Sequence, residues 1–402
     1  MRLFAFEGIH YTPKAGDAGL LAAPPYDQIN EAARDRFHAQ DPHQFVHLTR
    51  PLAPEGGDPY RFAAALHHKW LEEGVLARDG RPALYPYVIE LAGGGRRLGV
   101  LGLAGLEDAS VIRPHEQTLD KPLADRLALL SAMHVDLEPV FLLSEDGGRL
   151  DALIAEDIAE DVAHAAPLVR HQDADGHFHV IYRVDDPERI RLYQQATSGP
   201  AAIADGHHRY KVAQKFAGER GIRPGTAASA KLAMVTSIAA PALAIEPIHR
   251  ALREDIDLDR VGIPSSTQTF RGGSGTGFAQ AVAEARQPAL GIWRAGRDPE
   301  VRSFEGESLL GVELLHDKVL PALGYSPDAA TDGTVVYRSN PDELWQQVAS
   351  GELKTGIWLP PMLPAEFSAA IADGQMLPPK STRFMPKVMS GLVWADHDSR
   401  IL

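Results

Sequence analysis

The stretch Ala201–Val212 constrains the fold more than any other. An apolar run, Ala201-Ala202-Ile203-Ala204, enters Asp205-Gly206, and His207-His208-Arg209-Tyr210-Lys211 then opens a helical pattern. Apolar run, glycine turn and polar helix start together predict a strand–turn–helix unit whose free N–H groups meet an anion. Gly206 lets a ligand approach the backbone where a side chain would block it. Asp205 is expected to cap the helix. The amides of Gly206, His207 and His208 would hold a phosphate, with Arg209 adding a bidentate contact. The plain alternative is a capped helix with a polar first turn, but two adjacent histidines before an arginine are a poor way to build only that.

Short strand-like and helix-like runs alternate along the rest of the chain, which predicts a mixed α/β (α+β) protein. Leu84–Leu91 and Arg97–Leu106 read as strands around the Gly93-Gly94-Gly95 turn, Asp58–Glu73 as an amphipathic helix and Asp41–Leu48 as a strand. At 402 residues the chain is long for one core. The Gly/Ser-rich residues 262–277 are the best linker candidate, giving an α/β lobe over 1–261 and a smaller α/β lobe over 278–402. The second lobe is expected to return its C-terminal segment to the site.

Charge and cysteine content narrow the function classes. A net charge of −14 argues against broad nucleic-acid binding, which needs a basic face. With 0 cysteines there are no disulfides, no thiolate metal site and no cysteine nucleophile. No apolar run approaches the ~20 residues that span a bilayer, and the first residues carry no secretory pattern. A cytoplasmic protein binding a small-molecule substrate and a nucleotide is the expectation.

Several segments carry further candidate site residues. Pro114-His115-Glu116, with Thr118 behind it, offers a proline-fixed His–Glu pair suited to general acid/base work; a surface turn is its alternative. Arg126 stands near the start of a Leu-rich helix as a candidate phosphate ligand. Tyr26 and Asp27 leave the rigid Pro24-Pro25 corner and, with Thr118, His249 and Arg250, are candidate substrate contacts. Lys380-Ser381-Thr382 looks like a second anion contact, without the frame of a P-loop. Two adjacent helical histidines point about 100° apart, so His207 and His208 are a poor metal pair. No protein metal site is expected, and Mg²⁺ would arrive with a nucleotide.

Ala204-Asp205-Gly206-His207-His208-Arg209-Tyr210 resembles the signature of a widespread bacterial and archaeal family catalogued as a domain of unknown function. Ala23-Pro24-Pro25-Tyr26-Asp27, Val46-His47-Leu48, Pro114-His115-Glu116, Asp125-Arg126-Leu127, His249-Arg250, Pro378–Thr382 and Pro386-Lys387 extend the likeness over nearly the whole chain. The Gly206–Arg209 turn is also similar to the glycine–x–x–arginine turn of the ParB and sulfiredoxin-like superfamily, which includes free-serine kinases. That resemblance implies a nucleotide-binding core elaborated by large added α/β segments. It also implies ATP or ADP as cofactor and phosphoryl transfer to a small hydroxyl-bearing metabolite, serine or a related hydroxy amino acid among them. Hydrolysis in the same cleft, or a non-catalytic nucleotide or metabolite sensor, are the alternatives. For transfer, Glu116 or Asp205 would take the hydroxyl proton, Arg126 and Lys380 would neutralise charge, and His115 or His207 would serve a hydrolytic variant. Sulfiredoxin chemistry itself needs a cysteine, which this chain lacks.

Overall fold

The computed structural model describes residues 1–402 except 117–119, 161–166, 286–287 and 307–308. Two compact units divide the chain: Met1–Leu243 with Pro386–Leu402, and Ala244–Met385. The division thus falls at residue 243 and not within 262–277. The Gly/Ser-rich stretch is no linker, because it holds a strand, Ser265–Thr269, and the first residues of the helix Gly275–Glu284.

The first unit is built on a nine-stranded sheet among the described residues. Its strands are β1 (Leu3–Phe4), β2 (Tyr85–Glu90), β3 (Arg96–Gly105), β4 (Ile112–Arg113), β5 (Val140–Ser144), β6 (Val169–Gln172), β7 (Phe178–Ile181), β8 (Ala201–Asp205) and β9 (Ala230–Ser237). Their spatial order is β4-β8-β5-β9-β3-β2-β7-β6, with β1 paired to β3. β4 runs parallel to β8 and β9 parallel to β5, while β8 and β5 are antiparallel. The end of β4, the end of β8 and the entry to β5 therefore reach one edge of the sheet.

Nine helices are labelled in chain order: α1 (Glu31–Gln40), α2 (Val46–Thr49), α3 (Pro59–Glu72), α4 (Asp120–Met133), α5 (Arg149–Glu160), α6 (Pro187–Ala196), α7 (His207–Glu219), α8 (Gly275–Glu284) and α9 (Pro341–Ala349). Leu150 and Ile154 of α5, Ile190 and Tyr193 of α6 and Tyr210 of α7 pack with Val140, Leu142, Ala201 and Ile203 into one buried cluster. The expected strand at Asp41–Leu48 is instead a bend leading into α2. The Gln44 side chain accepts from the Val46 amide at 2.7 Å and donates to the Ala22 carbonyl at 3.1 Å, and these local bonds hold the tighter turn.

The second unit carries its own antiparallel sheet of six strands: β10 (His249–Leu252), β11 (Ser265–Thr269), β12 (Ala289–Arg294), β13 (Glu300–Phe304), β14 (Val336–Arg338) and β15 (Thr355–Trp358). Phe278 and Val282 of α8 and Leu344 and Val348 of α9 cover it with Trp358. The two helices approach closely at Gly275, where a Cβ would lie 1.9 Å from the Pro341 carbonyl oxygen. Among the described residues no helix is long and apolar enough to cross a membrane.

Candidate functional site

The strand–turn–helix unit forms where the sequence predicts it. Alternation along β8 sends Ala201 and Ile203 into the core cluster and would send Asp205 the same way. A register shift between Ile203 and Asp205 re-aims the carboxylate, the usual work of a bulge beside a site. Gly206 follows at φ +91° and ψ 28°, the left-handed conformation that favours glycine. A Cβ there would meet Val140 Cγ1 at 3.0 Å and Arg209 Cζ at 3.1 Å.

Asp205 does not cap the helix. Gly206, which has no side chain to cap with, occupies the cap position, and the Asp205 carboxylate is engaged by two cations. Arg209 Nη2 donates to Asp205 Oδ2 at 2.9 Å, and Lys387 Nζ lies 3.2 Å from Oδ1. Burial pushes the Asp205 carboxyl up, but Lys387 and Arg209 outweigh it and hold it below the ordinary range. Arg209 is 6% exposed and also donates to the Pro139 carbonyl at the entry to β5. It braces the turn from inside.

The parallel β4–β8 pair brings His115 beside the turn. The His115 amide donates to His207 Nε2 at 3.3 Å, which leaves the His207 proton on Nδ1. The two rings meet edge to face with centroids 4.6 Å apart. Both are buried, His115 to 1% and His207 to 8% exposure. Burial lowers His115 to about 4 and carries His207 well below its ordinary value, with His115 adding to the second shift. Both rings are neutral at pH 7. Glu116 and His208 are half-buried at the same edge.

A second layer of charge lies behind this turn. Glu138, 5% exposed, accepts from Thr49 Oγ1 at 2.9 Å and the Tyr26 amide at 3.1 Å. Its pKa is raised by burial, against the opposing pull of Arg209 and Arg126. Arg126, 7% exposed, donates to the Thr49 carbonyl at 2.8 Å, pairs with Asp125, and lies 4.3 Å over the Tyr26 ring. Glu138, Arg126 and Arg209 share one narrow cleft with Thr49, Val212 and Phe216. Asp27 is exposed next to Tyr26.

His249, Arg250, Lys380, Ser381 and Thr382 belong to the second unit. His249 is buried and accepts from the Leu359 amide at 3.1 Å, and burial takes its pKa to about 3. Arg250 donates to His316 Nε2 at 3.2 Å and to the Pro379 carbonyl at 3.0 Å. Lys380 is exposed at φ +56°, and Ser381 turns back onto the Pro378 carbonyl. These contacts build the second unit's own packing. Thr118 lies outside the described residues.

Lys387, Glu138, Thr49 and Arg97 were not selected from the sequence. Arg97 of β3 is fully buried, donates to the Pro386 carbonyl at 2.6 Å and lies 4.9 Å from the Phe141 ring centre. Its Nε and Nη1 find no hydrogen-bond partner among the described residues. The available signals were a charged residue opening an apolar strand at Arg97, an acid entering one at Glu138, and the proline before Lys387.

Solved structures of similar fold cover most of the chain. A conserved hypothetical protein from Pyrococcus furiosus aligns with 14% identity and a TM-score of 0.38, covering 74% of this chain and 94% of its own. A free serine kinase in complex with AMP aligns with 14% identity and a TM-score of 0.39, covering 74% and 91%. SbnI from Staphylococcus aureus, with a C-terminal truncation, aligns with 12% identity and a TM-score of 0.39, covering 72% and 84%. No curated protein sequence matches the chain. Residues 3–268, which hold the whole Asp205–Arg209 turn, match the family described as "Protein of unknown function (DUF1015)", and the chain belongs to that family.

Proposed function

We propose that the first unit is a nucleotide-dependent phosphotransferase acting on a small hydroxyl-bearing metabolite, with serine and related hydroxy amino acids as candidates. One observation carries this reading. The left-handed Gly206 opens α7 without a side-chain cap, beside a carboxylate held by two cations and a pair of neutral histidines. A helix N-terminus and the dipole behind it favour phosphate oxygens.

In this reading the His207 and His208 amides hold the phosphates of ATP or ADP, and Lys387 stands by with positive charge. Arg209 and Asp205 keep the turn rigid. Mg²⁺ would come with the nucleotide. The acceptor oxygen attacks the terminal phosphorus, the bond to the nucleotide's bridging oxygen breaks, and the hydroxyl proton passes to Glu116. Positioning and charge neutralisation supply most of such a reaction. The burial of His115 and His207 suits shaping the turn better than nucleophilic attack.

³¹P NMR of the protein with ATP or ADP and a panel of hydroxy acids tests the reading. A phosphomonoester product should appear. Glu116→Gln should cut turnover by about 10²-fold and leave ADP affinity nearly unchanged. Tight ADP binding with no transfer to any acceptor would leave only a nucleotide-sensing module.

A further inference from the structure

We infer that an open depression beside the phosphate turn receives the anionic end of the acceptor substrate, a carboxylate or phosphate group bound by Arg34 and Arg50. The inference rests on the phosphotransferase reading for the word acceptor, but not for the site itself. The depression has a volume of about 510 Å³, and its wall includes Tyr26, Arg34, Arg50, Tyr60, Asp125 and Arg126. It is assembled from three helices, the Arg50-Pro51 turn that follows α2 and the Pro25–Ile29 corner, so its side chains come from five separate stretches of chain.

Three guanidinium groups face two carboxylates, Asp27 and Asp125, on a chain whose net charge is −14. Asp125 is already engaged: Arg126 pairs with it at 2.6 Å and the Tyr60 hydroxyl donates to it at 2.7 Å. Arg34 and Arg50 are the two guanidinium groups of the wall that do not pair with Asp125. Arg50 is held through Nη1 by the Tyr26 and Ile29 carbonyls, which fixes its guanidinium plane against the cavity wall. Arg34 is 22% exposed and pairs with Asp35, itself 61% exposed, across a surface ion pair of small worth. Two planar guanidinium forks on one wall are suited to a bidentate oxyanion.

Arg126 ties this depression to the phosphate turn. The same side chain lines the depression and the narrow cleft that contains Glu138 and Arg209. A molecule anchored by its anion at Arg34 and Arg50 lies against the same Arg126 that borders Arg209 in the cleft. The depression is large enough for a metabolite, and the two tyrosine rings give it apolar sides.

Isothermal titration of the full chain with D-glycerate, L-malate, sn-glycerol 3-phosphate and uncharged glycerol tests the inference, with ADP titrated separately. At least one anion should bind and glycerol should not, and the winning arm tells carboxylate from phosphate. Arg50→Gln and Arg34→Gln should each weaken that anion by about tenfold, equivalent to about 1.4 kcal/mol, with ADP affinity unchanged. Arg50→Lys should keep part of the affinity. Arg34→Gln touches only a surface pair and should fold even if Arg50→Gln does not. Equal binding of glycerol and the anions, no binding by any probe, or unchanged anion affinity in Arg34→Gln and in folded Arg50→Gln would overturn the inference. Anion binding without ADP binding would sink the phosphotransferase reading and leave this site standing.

Discussion

Gly206 and His115 show how much of the site rests on single residues. At φ +91° a side chain is strained, and an added Cβ would press on Val140 and Arg209. Gly206→Ala should cost about 1–2 kcal/mol in urea denaturation and weaken ADP binding in the same protein. His115 is held to a pKa of about 4 by burial, against 6.5 when free. Its folded pKa is depressed, so the unfolded chain takes up the proton first as pH falls. Its contribution is full above about pH 6.5 and is lost on the way to pH 4, on the order of 3 kcal/mol. His115→Gln should therefore flatten the pH dependence of stability between pH 4 and 6.5, measured against wild type in parallel urea titrations. An unchanged slope would mean that the ring is protonated in the fold.

Elements bring together what no local stretch contains. The β4–β8 pairing carries His115 to His207, and the C-terminal segment after Met385 returns Lys387 to Asp205 across 182 residues. Arg97 holds the Pro386 carbonyl one residue before that lysine, which makes it a positioning residue for the cation. Lys387→Met leaves the Asp205 carboxylate with Arg209 as its remaining ion-pair partner. With the pair part-exposed, 16% and 24% by side chain, the cost should be about 1–2 kcal/mol rather than the larger loss of a fully buried pair. ADP affinity should fall about tenfold or more, because the cation facing the phosphates is gone. Unchanged ADP affinity in a folded Lys387→Met protein would remove Lys387 from the site.

Among the described residues each compact unit has a buried cluster of its own. One gathers Val140, Ile154, Tyr193 and Ala233, the other Phe278, Val282, Leu344 and Trp358. Differential scanning calorimetry should resolve more than one transition, since two-state behaviour belongs to single cores. ADP at a hundredfold excess over its Kd should stabilise the unit that carries Asp205–Arg209 by about 2.7 kcal/mol. A trace in which ADP moves no transition would remove the turn's ligand. The net charge of −14 belongs to this scale too. It disfavours polyanions in general, so the cations at Arg34, Arg50 and Lys387 act as local exceptions and not as a face.

The strand–turn–helix at Ala201–Glu219, the mixed α/β class and the family were legible in the sequence alone. Each follows from interactions within a few residues: the glycine that accepts a positive φ, the apolar run before it and the helical spacing of Arg209, Val212, Ala213 and Phe216 behind it. The role of Asp205 was misread at that level. A helix cap is a local bond, whereas its real partners depend on a bulge in β8 and on a lysine from the far end of the chain. Residues 262–277 misled for a related reason, since glycine and serine lower local propensity but cannot show that Ser265–Thr269 will find β13 to pair with. Tertiary structure alone decided which charges meet, that Glu138 would be buried between two arginines, and that Lys380–Thr382 would belong to a different unit from Asp205. Sheet register and chain return set those distances, and neither is written in any local stretch of residues.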